Sequence, residues 1–304
     1  MKKKILISVV GPTGIGKTSL AIKLAQHFKT EVLSADSRQF YKEMSIGTAV
    51  PTLDELNAVP HHFIQHKSIL DDYSVGDFER DAMDQLELLF KKKDVVLLVG
   101  GSGLYIDAVL KGLDEFPNID PRVRQDLNKK LEAEGLEALQ KQLKELDKVQ
   151  YKKMDVDNPH RLIRALEVCI GTGKPYSSFL SNTKKSRPFA SIIFGLMADR
   201  EIVYDRINQR VDQMIENGLL EEVNTLKEYR GLNALQTVGY KELFNYIDGG
   251  YTLDFAISEI KKNTRRFAKR QGTWFRKNEH IHWINYNSPT NNVIAKVEQQ
   301  IKDL

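Results

Sequence analysis

The segment ILISVVGPTGIGKTSLAIKLAQHF, residues 5–28, constrains the fold more than any other stretch of the chain. Ile5–Val10 is apolar with little alternation, the mark of a strand covered on both faces, as in a parallel sheet flanked by helices. Gly11, Pro12, Thr13, Gly14, Ile15, Gly16, Lys17 and Thr18 then fit G-x-x-x-x-G-K-[ST], and residues 17–28 carry a helical pattern. After a strand, such glycines let backbone N–H groups curl around a phosphate, and the helix dipole adds favourable potential. Lys17 supplies a point charge, and the Thr18 hydroxyl suits a Mg²⁺ shared with phosphate oxygens. A phosphate compound at the edge of an α/β sheet is expected, but neither the compound nor the bond that breaks is specified.

Strand and helix patterns continue to alternate. Glu31–Asp36 reads as a second strand ending in a carboxylate. Residues 75–93 place apolar or aromatic side chains at 78, 82, 86, 89 and 90, one face of a helix, and Val95–Val99 is another buried strand. Alternation of this kind predicts a parallel sheet with right-handed crossovers.

The character changes after Gly112. Residues 120–154 are highly charged with leucines at 127, 131, 136, 139, 143 and 146, the periodicity of a helix pair, and NPHRLIRALEV (158–168) continues as helix. A polar, loop-like stretch (171–188) precedes a buried strand, Ser191–Met197. From Arg200 the pattern is helical until HIHWINY, a last short strand. The simplest account is a P-loop NTPase-like α/β core, 1–113 plus 190–304, interrupted by an all-helical insertion, 114–189. A continuous domain with long surface helices is the alternative.

Hydrophobic residues make up 41% and charged residues 28% of the 304, as in ordinary soluble proteins. No apolar run approaches the ~20 residues of a membrane span. The start, MKKKILISVV, has too short an apolar core and no cleavage site for a secretory signal. Cys169 is the single cysteine, which excludes an intramolecular disulfide and a multi-cysteine zinc site. A cytoplasmic protein is expected. His61, His62 and His66 lack ligand spacing and are read as structural or substrate-orienting.

Most proteins with this loop move the γ-phosphate of a nucleotide and hold Mg²⁺ with an Asp at the end of another core strand. Here VVLLV ends in Gly100-Gly101-Ser102 instead. That argues against an ATPase motor or switch, while a small-molecule kinase survives. Asp36 ends a different strand, in ADSRQ, where it suits a general base, a water-mediated metal contact or a cap for the following turn. Ser102 and the N–H groups around it suit an anion or a leaving oxygen, or a plain helix N-cap.

Net charge is only +4, but Lys261–Lys277 (KKNTRRFAKRQGTWFRK) holds eight basic residues and no acidic one. On a helix, Lys261, Arg265 and Lys269 form one stripe and Lys262, Arg266 and Arg270 another. Such a face suits a phosphodiester backbone; a solvated structural face is the alternative.

GPTGIGKT, DSRQ, GTA-x-P, PHH, GGSGLY, NPHRLIRALEV, VGYKEL and KRQ-x-TWFR occur together between residues 11 and 276. In this combination and order the chain resembles the tRNA dimethylallyltransferases, or isopentenyl-diphosphate:tRNA transferases. The resemblance implies transfer of a dimethylallyl group from dimethylallyl diphosphate to N6 of the adenosine 3′ to the anticodon, position 37. It implies that the loop holds this diphosphate rather than ATP, with Mg²⁺ on Thr18 and Lys17 offsetting the negative charge. By the same resemblance Asp36 accepts the N6 proton, Ser102 hydrogen-bonds the bridging oxygen and Arg210 contacts the diphosphate. The family more often carries Thr where Ser102 stands, and the hydroxyl is kept.

Several segments match stretches of the family that touch tRNA. One is Asp36, Ser37, Arg38 and Gln39, with Ser102. Another is Arg124 together with His160, Arg161, Leu162, Ile163 and Arg164. Two more are Gln236, Thr237, Val238, Gly239, Tyr240 and Lys241, and then Lys269, Arg270, Gln271, Gly272, Thr273, Trp274, Phe275 and Arg276. The insertion is expected to grip the anticodon stem-loop. The absence of the zinc finger of eukaryotic relatives implies a compact bacterial-type enzyme, expected to be a monomer. The competing readings are an adenylate dimethylallyltransferase, a small-molecule P-loop kinase, and a non-catalytic nucleic-acid binder.

Overall fold

Six strands pair in parallel, in the order β3-β2-β4-β1-β5-β6, in the computed structural model of the chain, which describes residues 3–181 and 185–304. They are β1 (Ile5–Val10), β2 (Val32–Ser34), β3 (His61–His62), β4 (Val95–Gly100), β5 (Ala190–Met197) and β6 (Ile281–Asn285). Residues 182–184, part of the stretch expected to be a loop, lie outside the described residues. The helices between β1 and β5 are, in order, α1 (Lys17–Phe28), α2 (Leu53–Ala58), α3 (Val75–Phe90), α4 (Gly103–Lys111), α5 (Pro121–Glu134), α6 (Leu136–Leu146), α7 (Lys148–Lys153) and α8 (Pro159–Thr172). After β5 come α9 (Arg200–Glu216), α10 (Leu219–Thr225), α11 (Tyr240–Ile247), α12 (Leu253–Arg276) and, beyond β6, α13 (Thr290–Lys302).

The unbroken apolar runs are explained by two cores, one on each face of the sheet. Ile5, Ile7 and Val9 pack with α1, α9 and α13, while Leu6 and Val10 pack with α3 and α4. Alternate residues of one strand therefore serve different cores, so both sets are apolar except at Ser8, which is buried with Leu6 and Val10. A third cluster joins Tyr41 and Met44 to α9, α10, α11 and α12.

Two differences from the expected elements have local causes. The second strand stops at Ser34, and Asp36 lies in the turn beyond it. The two-residue strand β3 is too short to leave a period; it pairs with Val32 and Leu33, and the His62 imidazole lies 2.7 Å from the Glu31 carboxylate.

The chain forms two compact units, Met1–Lys111 with Ser186–Leu304, and Gly112–Lys185. In the second unit Leu127, Leu139, Leu143, Leu162, Ile163 and Leu166 form a core. Its charged stretch is three helices rather than a pair. Gly135, at φ 78°, ends α5, and the Asp147 carboxylate caps α7 by accepting the Gln150 N–H. No helix among the described residues is long and apolar enough to cross a membrane.

Candidate active site

The carboxyl ends of β1, β2 and β4 deliver the glycine loop, the Asp36 turn and the Gly100–Ser102 turn to one edge of the sheet, where α/β sheets bind ligands. Backbone geometry explains the loop glycines. Gly14 and Gly16 sit at φ 79° and 103°, and a Cβ on Gly11 would stand 2.9 Å from the Leu196 carbonyl. Lys17 Nζ donates to the Pro12 carbonyl at 2.9 Å beneath the loop. Burial lowers the Lys17 pKa to about 8; Asp36 opposes that shift and Arg210 adds to it.

Arg210, on α9, donates from Nη1 to Thr13 Oγ1 at 3.2 Å and from Nη2 to the Ala49 carbonyl at 3.4 Å. Burial pulls its pKa down, and the Asp36 carboxylate opposes this. Asp36 Oδ1 accepts the Arg38 N–H at 3.2 Å, so it caps its own turn and lines the cavity beside it. Ser102 heads α4 through its carbonyl, which accepts the Tyr105 and Ile106 N–H groups. Its hydroxyl turns instead to Ser37, accepting that N–H at 3.3 Å and lying 3.2 Å from Ser37 Oγ.

A cavity of about 790 Å³ runs from Thr13, Asp36, Ser37, Arg38 and Ser102 to the Gln236–Gly239 segment and α12. Near Arg210 its wall is apolar, built from Ile207, Val211, Met214 and Leu219; farther along it offers Phe267, Arg270 and Trp274. On α9, Ile207, Arg210, Val211 and Met214 share one face, so a cation and an apolar stripe enter the cavity together.

The segments matched to tRNA contacts are placed unevenly. Arg38 donates inward to the Asn233 and Ala234 carbonyls, and Gln39 to the Thr48 and Ala49 carbonyls. Gln236, Thr237, Val238, Gly239 and Lys241 line the cavity. Leu162, Ile163, Tyr240, Gly272 and Phe275 are buried, which corrects the expectation that each of these segments meets RNA along its whole length. Helical periodicity forces the split: a helix has one face to bury.

Gln271 is also buried, holding Thr13 and Gly101. In the helical unit, His160 and Arg161 are exposed, while Arg124 and Arg164 both bond the buried Glu167 carboxylate.

The basic helix is likewise divided. Lys261 pairs with Asp212 at 2.5 Å, Arg265 donates to Asn208 at 2.7 Å, and Lys262 pairs with Glu259. Arg266, Lys269, Arg270, Thr273 and Arg276 are exposed, with the rings of Phe267 and Trp274 among them.

His66 packs edge-on against Phe40, Phe63 and Tyr73, and burial, with Lys67 beside it, lowers its pKa to about 4. Among the described residues no group of three or more His, Cys, Asp or Glu side chains could hold a metal.

Two site residues escaped the sequence reading. Arg206 donates to the Gly14 carbonyl at 2.7 Å, and Glu222 binds the turn 45–47. The first carries a signal, since it stands one helical turn before Arg210 on α9.

The IPP transferase family model matches residues 39–278. The tRNA dimethylallyltransferase of Christiangramia forsetii is 61% identical over 97% of this chain and 98% of its own length. Among solved structures, the full-length tRNA isopentenylpyrophosphate transferase of Bacillus halodurans aligns with a TM-score of 0.71 and 36% identity, covering 99% of this chain and 96% of that one. A eukaryotic dimethylallyltransferase, captured in crystallographic snapshots acting on tRNA, aligns with a TM-score of 0.83 and 26% identity, over 99% of this chain and 80% of that one. This agreement along nearly the whole chain makes it a member of the IPP transferase family, the family of the tRNA dimethylallyltransferases.

Proposed function

We propose that this chain transfers the dimethylallyl group of dimethylallyl diphosphate to N6 of adenosine 37 in tRNA, releasing diphosphate. One observation carries the reading: the cation that reaches Thr13, Arg210, shares its helix face with the apolar stripe Ile207, Val211 and Met214. A diphosphate in the loop would lay a short hydrocarbon along that stripe. A phosphoryl acceptor, rich in hydroxyls, would leave it unused.

In this reading the allylic C–O bond breaks as the N6–C bond forms. Lys17 and Arg210 offset the charge that gathers on the leaving diphosphate, and Ser102 donates to the oxygen being released. Asp36, anchored by one oxygen, takes the N6 proton. Mg²⁺ fits the hard oxygen of the Thr18 hydroxyl, and because no acidic cluster stands among the described residues, substrate oxygens and water would complete its shell. Bound there, it would neutralise part of the leaving-group charge.

The target base must leave its stack to reach the cavity. Exposed Arg266, Lys269 and Arg270, with Phe267 and Trp274, suit a backbone and splayed bases. The helical unit offers His160, Arg161 and Arg124 to the anticodon stem-loop, and the protein works as a cytoplasmic monomer.

Incubation with labelled dimethylallyl diphosphate and either undermodified tRNA or AMP tests the reading. Label in tRNA is expected. Label in AMP alone would assign an adenylate transferase, and ATP turnover with neither labelled would assign a kinase.

A further inference from the structure

Three consecutive backbone N–H groups, from Ser45, Ile46 and Gly47, converge on one carboxylate. Glu222 Oε2 accepts from Ser45 at 2.9 Å and Ile46 at 2.7 Å, and Oε1 accepts from Gly47 at 2.9 Å. A fourth donor, the Tyr240 hydroxyl, reaches Oε1 at 2.6 Å. Among the described residues no cation pairs with Glu222, so neutral donors alone hold its charge. Tyr240 also closes the space above the turn: a Cβ on Gly47 would stand 2.5 Å from its ring.

The turn leads directly into the site. Ala49 follows with φ at 48°, a conformation that an alanine keeps only when its surroundings impose it. Its carbonyl accepts from Gln39 at 2.9 Å and from Arg210 at 3.4 Å, and Arg210 reaches Thr13 with its other nitrogen. Gly47 and Thr48 line the cavity, as does Gly239 beside Tyr240. One unbroken series of bonds therefore runs from Glu222 through the 45–49 turn to the guanidinium that faces the glycine loop.

We infer that Glu222 is a positioning residue for the transfer reaction. Through this turn it fixes the aim of Arg210 at the departing diphosphate, with Tyr240 as its fourth donor. The inference rests on the proposed function, which makes Arg210 a diphosphate ligand.

The test measures binding of inorganic diphosphate by calorimetry, and steady-state transfer to tRNA, in E222Q, Y240F and V223A. In E222Q an amide NH₂ must face N–H donors, so diphosphate should bind roughly tenfold or more weakly. Y240F keeps the ring and loses one bond of four, so a loss of about threefold is expected. The double variant E222Q/Y240F should fall short of the product of the two losses, because both act through one network.

Val223 is fully buried on the same helix but bonds nothing in the series. V223A therefore lowers the melting temperature through a cavity and should bind diphosphate normally. If V223A loses as much affinity as E222Q at matched stability, Glu222 is merely structural and the inference fails. Unchanged binding in E222Q, beside normal wild-type binding, overturns the inference alone. Failure of the wild type to bind diphosphate overturns the loop reading as well.

Discussion

Gln271 joins Thr13 to Gly101: its Oε1 accepts the Thr13 N–H and its Nε2 donates to the Gly101 carbonyl, each at 2.9 Å. The glycine loop after β1 and the glycine turn after β4 are thus tied by one amide from α12. A Cβ on Gly101 would collide with that amide, which is why glycine stands there. Gln271→Ala strands a buried donor and acceptor and should cost about 1–3 kcal/mol of stability, read by chemical denaturation. Gln271→Glu keeps the shape but sets a carboxylate against a carbonyl and beside the phosphate site. It should lower kcat/KM for dimethylallyl diphosphate by roughly 100-fold. Wild-type kinetics in Q271E would show that the tie has no bearing on the loop.

Lys17 makes diphosphate binding pH-dependent. Burial lowers its pKa from 10.5 to about 8, and a bound anion raises it again by favouring the ammonium. Binding should therefore take up a proton at Lys17 above about pH 8, with the lysine's contribution to affinity level below pH 7 and falling as the free lysine loses its charge. Calorimetry in buffers of different ionisation enthalpy reads this uptake directly. For folding the sign is separate: between about pH 8 and 10.5 the unfolded chain holds a proton that the folded chain has shed. Lys17 alone therefore makes the ligand-free protein more stable as pH rises through that window.

The fold was legible where independent signals coincide. At residues 5–28 a two-sided apolar strand, a glycine spacing and an amphipathic helix all agree, and β1 and α1 occupy the expected residues. Elements shorter than their own period were not legible, and β3, two residues long, is the example. The chemistry of the loop shows in the sequence because glycine is required by backbone angle. The ties that aim it do not: Gln271 and Thr13 are 258 positions apart, and no local pattern records such a bond. Charge in α12 was visible, but its partners were not, since Asp212 and Asn208 sit on another helix.

That division of α12 separates two kinds of variant. Arg266→Ala, Lys269→Ala and Arg270→Ala together remove exposed cations and should lower tRNA affinity while flattening its salt dependence, by a slope of roughly one for each phosphate no longer neutralised. Lys261→Ala with Arg265→Ala removes side chains already engaged by α9, so stability should fall and the salt slope should hold. Filter binding of tRNA across a salt series separates them. Equal slopes in both sets would show that the exposed face does not meet the RNA backbone.

Glu167 governs the acid tolerance of the helical unit. Burial pushes its carboxyl up, but the bonds from Arg124 and Arg164 prevail and hold it below its ordinary value. A lowered carboxyl stabilises above its unfolded pKa, and the contribution disappears as pH falls through the folded value. Both arginines are about half exposed, which screens the pairs, so Glu167→Gln should cost about 1–2 kcal/mol at pH 7. The gap between wild type and E167Q should narrow as pH falls below the ordinary carboxyl range of about 4 and close once pH passes the lowered folded value. Urea unfolding across that range checks it, and a gap that persists in acid would remove the carboxylate as its cause.

Asp36→Asn isolates proton removal from positioning. The amide oxygen can still accept the Arg38 N–H, so the turn after β2 should stand. What disappears is the carboxylate beside Lys17 and Arg210, whose charge favours the cationic form of each. Losing that anion leaves a more positive site, so diphosphate should bind as well as before or better. Transfer, however, loses the acceptor for the N6 proton, and kcat should fall by about 10²–10⁴. The expected signature is a split between constants: kcat collapses while KM for dimethylallyl diphosphate stays level or drops. A rise in KM with kcat preserved would make Asp36 a binding residue and leave the base to be found among the other polar groups lining the cavity.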